Sequence, residues 1–206
     1  MDINDIVVEK DVRDSRRSAE RRSAICQAVY ELLGKVGYDR MTMDAIANQA
    51  KASKATIYRM WVDKPELVAD ALTCHFGPTP EPADTGSLRG DLMALMTTAC
   101  EITDSEAGEV MAGVITASAH DTRLSEVLGQ TLFEGKQTLH STIIRRAVER
   151  GELAPDADPG LMHEVMHSMI TGRKMWCLGP LDDEFAGHIV DDVLIPVLTY
   201  RKQPQA

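Results

Sequence analysis

An apolar stripe at helical spacing is the feature that most restricts this chain. Ile25, Ala28, Val29, Leu32, Leu33 and Val36 recur at intervals of three and four, which puts them on one face of a helix. Gly37 follows, a residue able to take the positive-φ backbone that ends a helix. Thr42 then offers a hydroxyl N-cap to a short second helix carrying Ile46, Ala47 and Ala50. Ser53 offers the same to a third, Lys54-Ala55-Thr56-Ile57-Tyr58-Arg59. Asp63 and Glu66, three apart with Pro65 in the tolerant first turn, open a fourth through Leu67, Val68, Ala71 and Leu72. Residues 77–86 hold three Pro and two Gly and read as a linker or an ordered loop. Beyond them the period predicts helices over 88–102, 106–119, 123–150, 160–177 and 183–198. Gly129 and Gly135 are the points where the long third segment would break, and Pro196 should kink or end the last. With no alternating strand pattern and no internal repeat, the expected fold class is all-α.

At 206 residues the chain can bury a sizeable core, built mainly from aliphatic and sulfur side chains because only 4% of it is aromatic. The longest stretch free of Asp, Glu, Lys and Arg covers residues 110–120, well short of the ~20 that a membrane-spanning helix needs. The N-terminus has no uninterrupted apolar run of the secretory kind, so no membrane partner and a cytoplasmic location are expected. Cys26, Cys74, Cys100 and Cys177 have neither zinc-knuckle nor redox spacing; they read as buried small hydrophobes or surface thiols.

A net charge of −10 argues at first against nucleic acid, but its distribution reverses that. Residues 12–64 carry eleven Lys/Arg against six Asp/Glu, whereas residues 76–206 carry ten against twenty. A basic segment joined to an acidic one is the pattern of a chain that meets a polyanion with one part only.

Two short helices joined by about three residues, the second opening on a serine cap, form a helix-turn-helix signature. A helix entering a groove ~12 Å wide needs small or hydrogen-bonding side chains on its outer face. Ser53, Lys54, Ala55, Thr56 and Arg59 supply that face, while Ile57 and Met60 can turn back to the core. Tyr58 adds a hydroxyl that can reach a phosphate. Lys64 adds a cation beside a helix N-terminus that already favours anions, and Thr42 stands at another.

The stretches AVYELLGKVGY at 28–38, MTMDAIA at 41–47 and AKASKATIYRMW at 50–61, followed by Asp63-Lys64, resemble the DNA-binding domain of the tetracycline-repressor (TetR) family of bacterial transcription regulators. RAVERGELAPDADP at 146–159 is similar to a segment common in that family's C-terminal domain. The resemblance implies a homodimer of all-helical, two-domain subunits: an N-terminal helix-turn-helix domain of three helices binds a palindromic double-stranded DNA operator. A divergent C-terminal helical domain dimerises and binds a small-molecule effector, unknown here, that releases the DNA. On this reading residues 1–14 are a mobile arm, 15–75 the DNA-binding domain and 76–206 the regulatory domain. The chain is then a repressor, not an enzyme, with no cofactor. One departure stands out: the family usually has Gly-Val in the turn, and this chain has Lys51-Ala52. At a left-handed position a non-Gly residue costs ~1 kcal/mol, so either the turn is looser or Lys51 gains a phosphate contact.

Several segments carry competing readings. Arg13, Arg16, Arg17, Arg21 and Arg22 are either a solvated helix face or a DNA-contacting arm. Met93, Met96, Met111, Phe133 and Trp176 are candidates for a ligand pocket, although methionine also fills ordinary helical cores. Phe185, Ile189, Val193 and Val197 repeat every four residues. With Met166 and Ile170 they are the expected dimer interface, unless that face merely covers the chain's own helices. His163-Glu164-Val165-Met166-His167 matches the zinc-hydrolase pattern H-E-x-x-H, with Glu184 or His188 as a third ligand. The metzincin continuation is absent, since Ile170 and Arg173 stand at its Gly and His positions, so the expectation is no metal. A zinc hydrolase and a helical module without DNA binding are the alternative functions.

Overall fold

The structure is a computed structural model that describes residues 3–200, with side chains described for 16–131 and 138–200. Ten α-helices run in order among the described residues, and no strand: α1 (Ile3–Arg40), α2 (Met43–Gln49), α3 (Lys54–Met60), α4 (Lys64–Phe76), α5 (Leu88–Asp104), α6 (Glu106–Ser118), α7 (Thr122–Glu149), α8 (Pro159–Met175), α9 (Asp183–Ile189) and α10 (Ile195–Thr199). The chain divides into two compact units. The first joins residues 1–77 to Ala112–Leu132, and the second joins Pro78–Met111 to Phe133–Ala206. The first unit's N-terminal segment ends at Gly77, whereas the expected boundary follows residue 75, and the second half of α6 and the start of α7 group with that unit.

In the first unit α1 packs along α4, with α2 and α3 beside them. Its core holds Ile25, Val29, Leu32, Leu33, Ile46, Ile57, Leu67, Val68 and Leu72, each less than a tenth exposed. Gly37 breaks α1 with φ 75° and ψ 169°, a conformation closed to most side chains. The expected arm covers residues 1–14. From Ile3 onward its backbone is helical and continuous with α1, whose first turns extend N-terminal to the apolar stripe. Arg13's side chain lies outside the described ones.

Each expected cap forms. Thr42 Oγ1 accepts from Ala45 N at 3.2 Å, and Ser53 Oγ accepts from Thr56 N at 3.1 Å. Asp63 Oδ1 accepts from Glu66 N at 2.8 Å, while Glu66 Oε2 accepts from Val62 N at 2.7 Å, one residue before the usual capping-box donor.

In the second unit α5, α8, α9 and the segment after α9 enclose a core of Leu92, Met96, Cys100, Ile143, Met162, Met166, Ile170, Phe185, Ile189 and Leu194. The loop before α5 is ordered by charge. Buried Asp91 accepts from Thr85 N and Thr85 Oγ1, both at 2.7 Å, and from Arg150 at 3.0 Å. Arg146 donates to the carbonyls of Pro82 and Ala83, and Glu152 accepts from Leu88 N.

Two helix expectations change. α7 runs unbroken through Gly129 and Gly135, a helix interior tolerating each glycine at a cost of ~1 kcal/mol. The last helix widens into a π turn over Val190–Leu194 before α10. Pro196 lacks the N–H that an α-helix would direct to the carbonyl of Asp192. The Ile195 N–H reaches back to Val190 O instead.

Asp63 yields a pH prediction. Burial pushes its carboxyl up, but the Arg123 guanidinium at 2.9 Å and the Glu66 N–H outweigh burial and hold it below the ordinary value. A depressed carboxylate stabilises fully above its unfolded pKa, and that contribution fades as pH falls through the folded one. Asp63→Ala should lose about 1 kcal/mol at pH 7 in urea unfolding. The gap to the wild-type protein should narrow as pH is lowered below about 4.

Candidate nucleic-acid interface

α2 and α3 are seven residues each, too short to persist alone, so packing and caps place them. Ile57 is wholly buried and Met60 half-buried, which turns the opposite face of α3 outward. That face carries Ser53, Lys54, Ala55, Tyr58 and Arg59, all exposed, with Thr56 half-buried beside them. The Ser53 and Thr56 hydroxyls lie 2.9 Å apart and share a proton-donor role in either direction. Thr42 is exposed at the N-terminus of α2.

Lys54 Nζ pairs with Asp44 Oδ1 at 2.8 Å, joining the first turns of α3 and α2. Asp44 was not singled out by the sequence reading. Its place in the first turn after the Thr42 cap was the available signal. With both partners at least half exposed, the pair holds Lys54 only loosely and raises its pKa through the Asp44 hydrogen bond.

Lys51 adopts φ 50°, in the left-handed region, and closes the turn with Ala52 N donating to Ala47 O at 3.0 Å. The strain anticipated from the sequence is therefore located on an exposed cation. Lys64 is placed differently from the expectation of a freely presented phosphate contact. Its ammonium donates to Tyr38 O at 2.6 Å and sits 3.9 Å from the centre of the Tyr38 ring. It is half-buried, and that burial pushes its pKa down. The Tyr38 hydroxyl in turn donates to Asp121 at 2.8 Å. Arg22, expected in a basic arm, forms a bidentate pair with Asp70 on α4. Arg16 pairs with Glu20, and Arg17 and Arg21 are exposed.

The chain matches the profile described as bacterial regulatory proteins, tetR family, over residues 25–71, which include these head residues, and that described as tetracyclin repressor-like, C-terminal domain, over residues 82–193. The chain is also 38% identical, over 88% of its length and 96% of the relative's, to a DNA-binding transcriptional repressor TetR of Mycobacteroides abscessus. The chain belongs to the TetR family. It is 28% identical to the HTH-type transcriptional regulator YdeS of Bacillus subtilis, across 86% of this chain and 90% of that one. Among solved structures it is similar to the TetR family transcription regulator SCO0332, with TM-score 0.68 and 26% identity over 85% of this chain and 97% of that one. As a TetR-family regulator it has an N-terminal helix-turn-helix DNA-binding domain, formed by α2 and α3, and a helical C-terminal domain.

The remaining candidate residues of this TetR-family chain are placed less as expected. Met166, Ile170, Phe185 and Ile189 are at most 5% exposed within the second unit's own core, so they are not an outward interface. Their repeat serves α5, α8 and α9 instead, the alternative the pattern had left open; Val193 and Val197 are half-buried. Four of the five pocket candidates have described side chains. Met96 is wholly buried in the core, Met93 packs half-buried against it, and Met111 is half-buried. Trp176 is 75% exposed at the end of α8, and the side chain of Phe133 lies outside the described ones. His163 turns into the core against His140, with ring centres 4.9 Å apart, and His167 lies 4.2 Å from His163. Glu164, one position along α8 from buried His163, is exposed.

Lys51→Gly should relax the turn and stabilise the protein by about 0.5–1 kcal/mol, the gain in strain partly offset by glycine's greater freedom in the unfolded chain. Thermal and urea unfolding measure it. An unchanged or lower stability would show that the turn is not strained at this position.

Proposed function

We propose that this TetR-family regulator is a repressor that binds a palindromic DNA operator as a homodimer and leaves it when a small molecule binds. The observation that carries the DNA reading is the exposed, capped face of α3, with Ile57 holding its opposite side in the core. Ser53, Lys54, Ala55, Thr56 and Arg59 would read or approach base edges. Thr42, Lys51, Tyr58 and Lys64 would hold phosphates, the last while keeping its bond to the Tyr38 carbonyl. Lys54 would exchange its loose pairing with Asp44 for the duplex. The name of the M. abscessus relative supports repression.

Dimerisation draws support from apolar side chains that the second unit leaves outside. On α8, Leu161 and Met169 are exposed with half-buried Val165 between them, and exposed Trp176 follows seven residues after Met169, at the C-cap of the helix. Together with Val193 and Val197 they make a second apolar side distinct from Met162, Met166 and Ile170. Two helices from each subunit would then pack as a four-helix bundle. Effector release is linkage: the effector must favour a dimer in which the two heads no longer match the operator. No catalytic set is assigned, and a cytoplasmic site of action follows from the role.

DNA fragments selected from a bacterial genome by the purified protein should share an inverted repeat. On that DNA, Thr56→Ala should weaken binding at least severalfold. Lys51→Gly and Lys64→Ala should each lower the slope of log affinity against log salt by about one. Binding untouched by all three would sink the interface. Met169→Glu should turn a dimer into a monomer in sedimentation equilibrium, and an unchanged dimer would place the interface elsewhere.

A further inference from the structure

The Arg22–Asp70 pair belongs to a larger group. Arg22 and Cys26 are one turn apart on α1, and Asp70 and Cys74 are one turn apart on α4. The two sulfurs and an Asp70 oxygen all lie within 4.8 Å of one another, with Cys26 Sγ 3.8 Å from Asp70 Oδ2. Cys26 is 2% exposed, whereas Cys74 opens to solvent. Among the described residues this is the one group of three or more His, Cys, Asp or Glu donors so closely gathered.

We propose that Cys26, Asp70 and Cys74 bind one thiophilic divalent cation of the zinc class. Two sulfur donors select such an ion over magnesium or calcium, which prefer oxygen. Donors around a tetrahedral zinc with bonds of about 2.0–2.3 Å lie about 3.3–3.8 Å apart. The three groups therefore need to close by at most about 1.5 Å from their 4.8 Å limit, a movement within reach of a turn of the exposed Cys74 side chain. Charge also matches. Two thiolates and a carboxylate beside the Arg22 guanidinium carry a net charge of two negatives, which a dication neutralises. On binding, both thiol protons leave to solvent, two metal–sulfur bonds and one metal–oxygen bond form, and no electron is transferred. Because both thiols must lose their protons to bind, affinity rises with pH.

The Asp70 oxygens divide the labour. Oδ2 faces Cys26 and also accepts from Trp61 Nε1 at 2.9 Å and Arg22 Nε at 2.8 Å, while Oδ1 accepts from Arg22 Nη2. An ion on Oδ2 displaces the indole and Nε and leaves Arg22 holding Oδ1, the outer hydrogen bond that a ligating carboxylate ordinarily keeps. Trp61 is the residue that ends α3, so the ion's arrival is felt at that helix terminus. A cleft of about 310 Å3 lined by Arg22, Trp61, Glu66, Asp70 and Val127 gives the released indole room.

The test uses tag-free full-length protein in a phosphine reductant, carrying Trp176→Phe so that Trp61 is the only indole. Titration with zinc, and in parallel with cadmium, should saturate at one ion per chain and change Trp61 emission; cadmium should add a thiolate charge-transfer band. Cys74→Ser, at an exposed position that does not threaten folding, should weaken binding at least about tenfold and remove the band. Affinity should rise from pH 6 to pH 8. The proposal is overturned if Trp61 emission is unmoved at one equivalent. It is equally overturned if Cys74→Ser binds as tightly as its parent, or if His167→Ala rather than Cys74→Ser abolishes binding.

Discussion

A seven-residue helix cannot sustain itself in water, and the DNA-reading part of this protein is made of two of them. Everything about the head follows from supplying from outside what their length denies them. Ile46 and Ile57 are wholly buried in the first unit's core, and the Thr42 and Ser53 hydroxyls satisfy backbone donors that would otherwise face water or a void. Long α1 and α4 act as the frame. Their mutual packing is continuous, and the bidentate Arg22–Asp70 pair ties them at one point. The outward face of α3 is thus a by-product of how its inward face is held.

The same economy appears in the second unit, with charge in place of hydroxyls. Asp91 is 1% exposed and survives burial because Thr85 and Arg150 fill its lone pairs, keeping its pKa below the ordinary value despite desolvation. The segment around Arg146, Arg150 and Glu152 fastens the proline-rich loop to the end of α7 and the start of α5. Its sequence prominence has a mechanical reason.

Local features were legible in the sequence where one residue decides the outcome. The caps at Thr42, Ser53 and Asp63, the break at Gly37 and the left-handed turn at Lys51 all depend on backbone chemistry within four residues. Features that depend on which of two apolar sides faces inward were not. α8 carries apolar residues at 161, 165 and 169 as well as at 162, 166 and 170, and periodicity alone cannot rank the two rows. Nor can spacing reveal that Lys64 reaches back to a carbonyl 26 residues away, or that Cys26 and Cys74 meet across two helices.

Pro196 has an effect larger than the single hydrogen bond it removes. The wide turn it accompanies accommodates one residue more than an α-helical turn would, so the side chains of α10 are carried about 100° around the axis relative to an uninterrupted helix. Leu198 reaches the interior from this advanced phase. The end of the chain is in effect threaded like a screw whose pitch changes once, and the proline is what keeps the change from running back out.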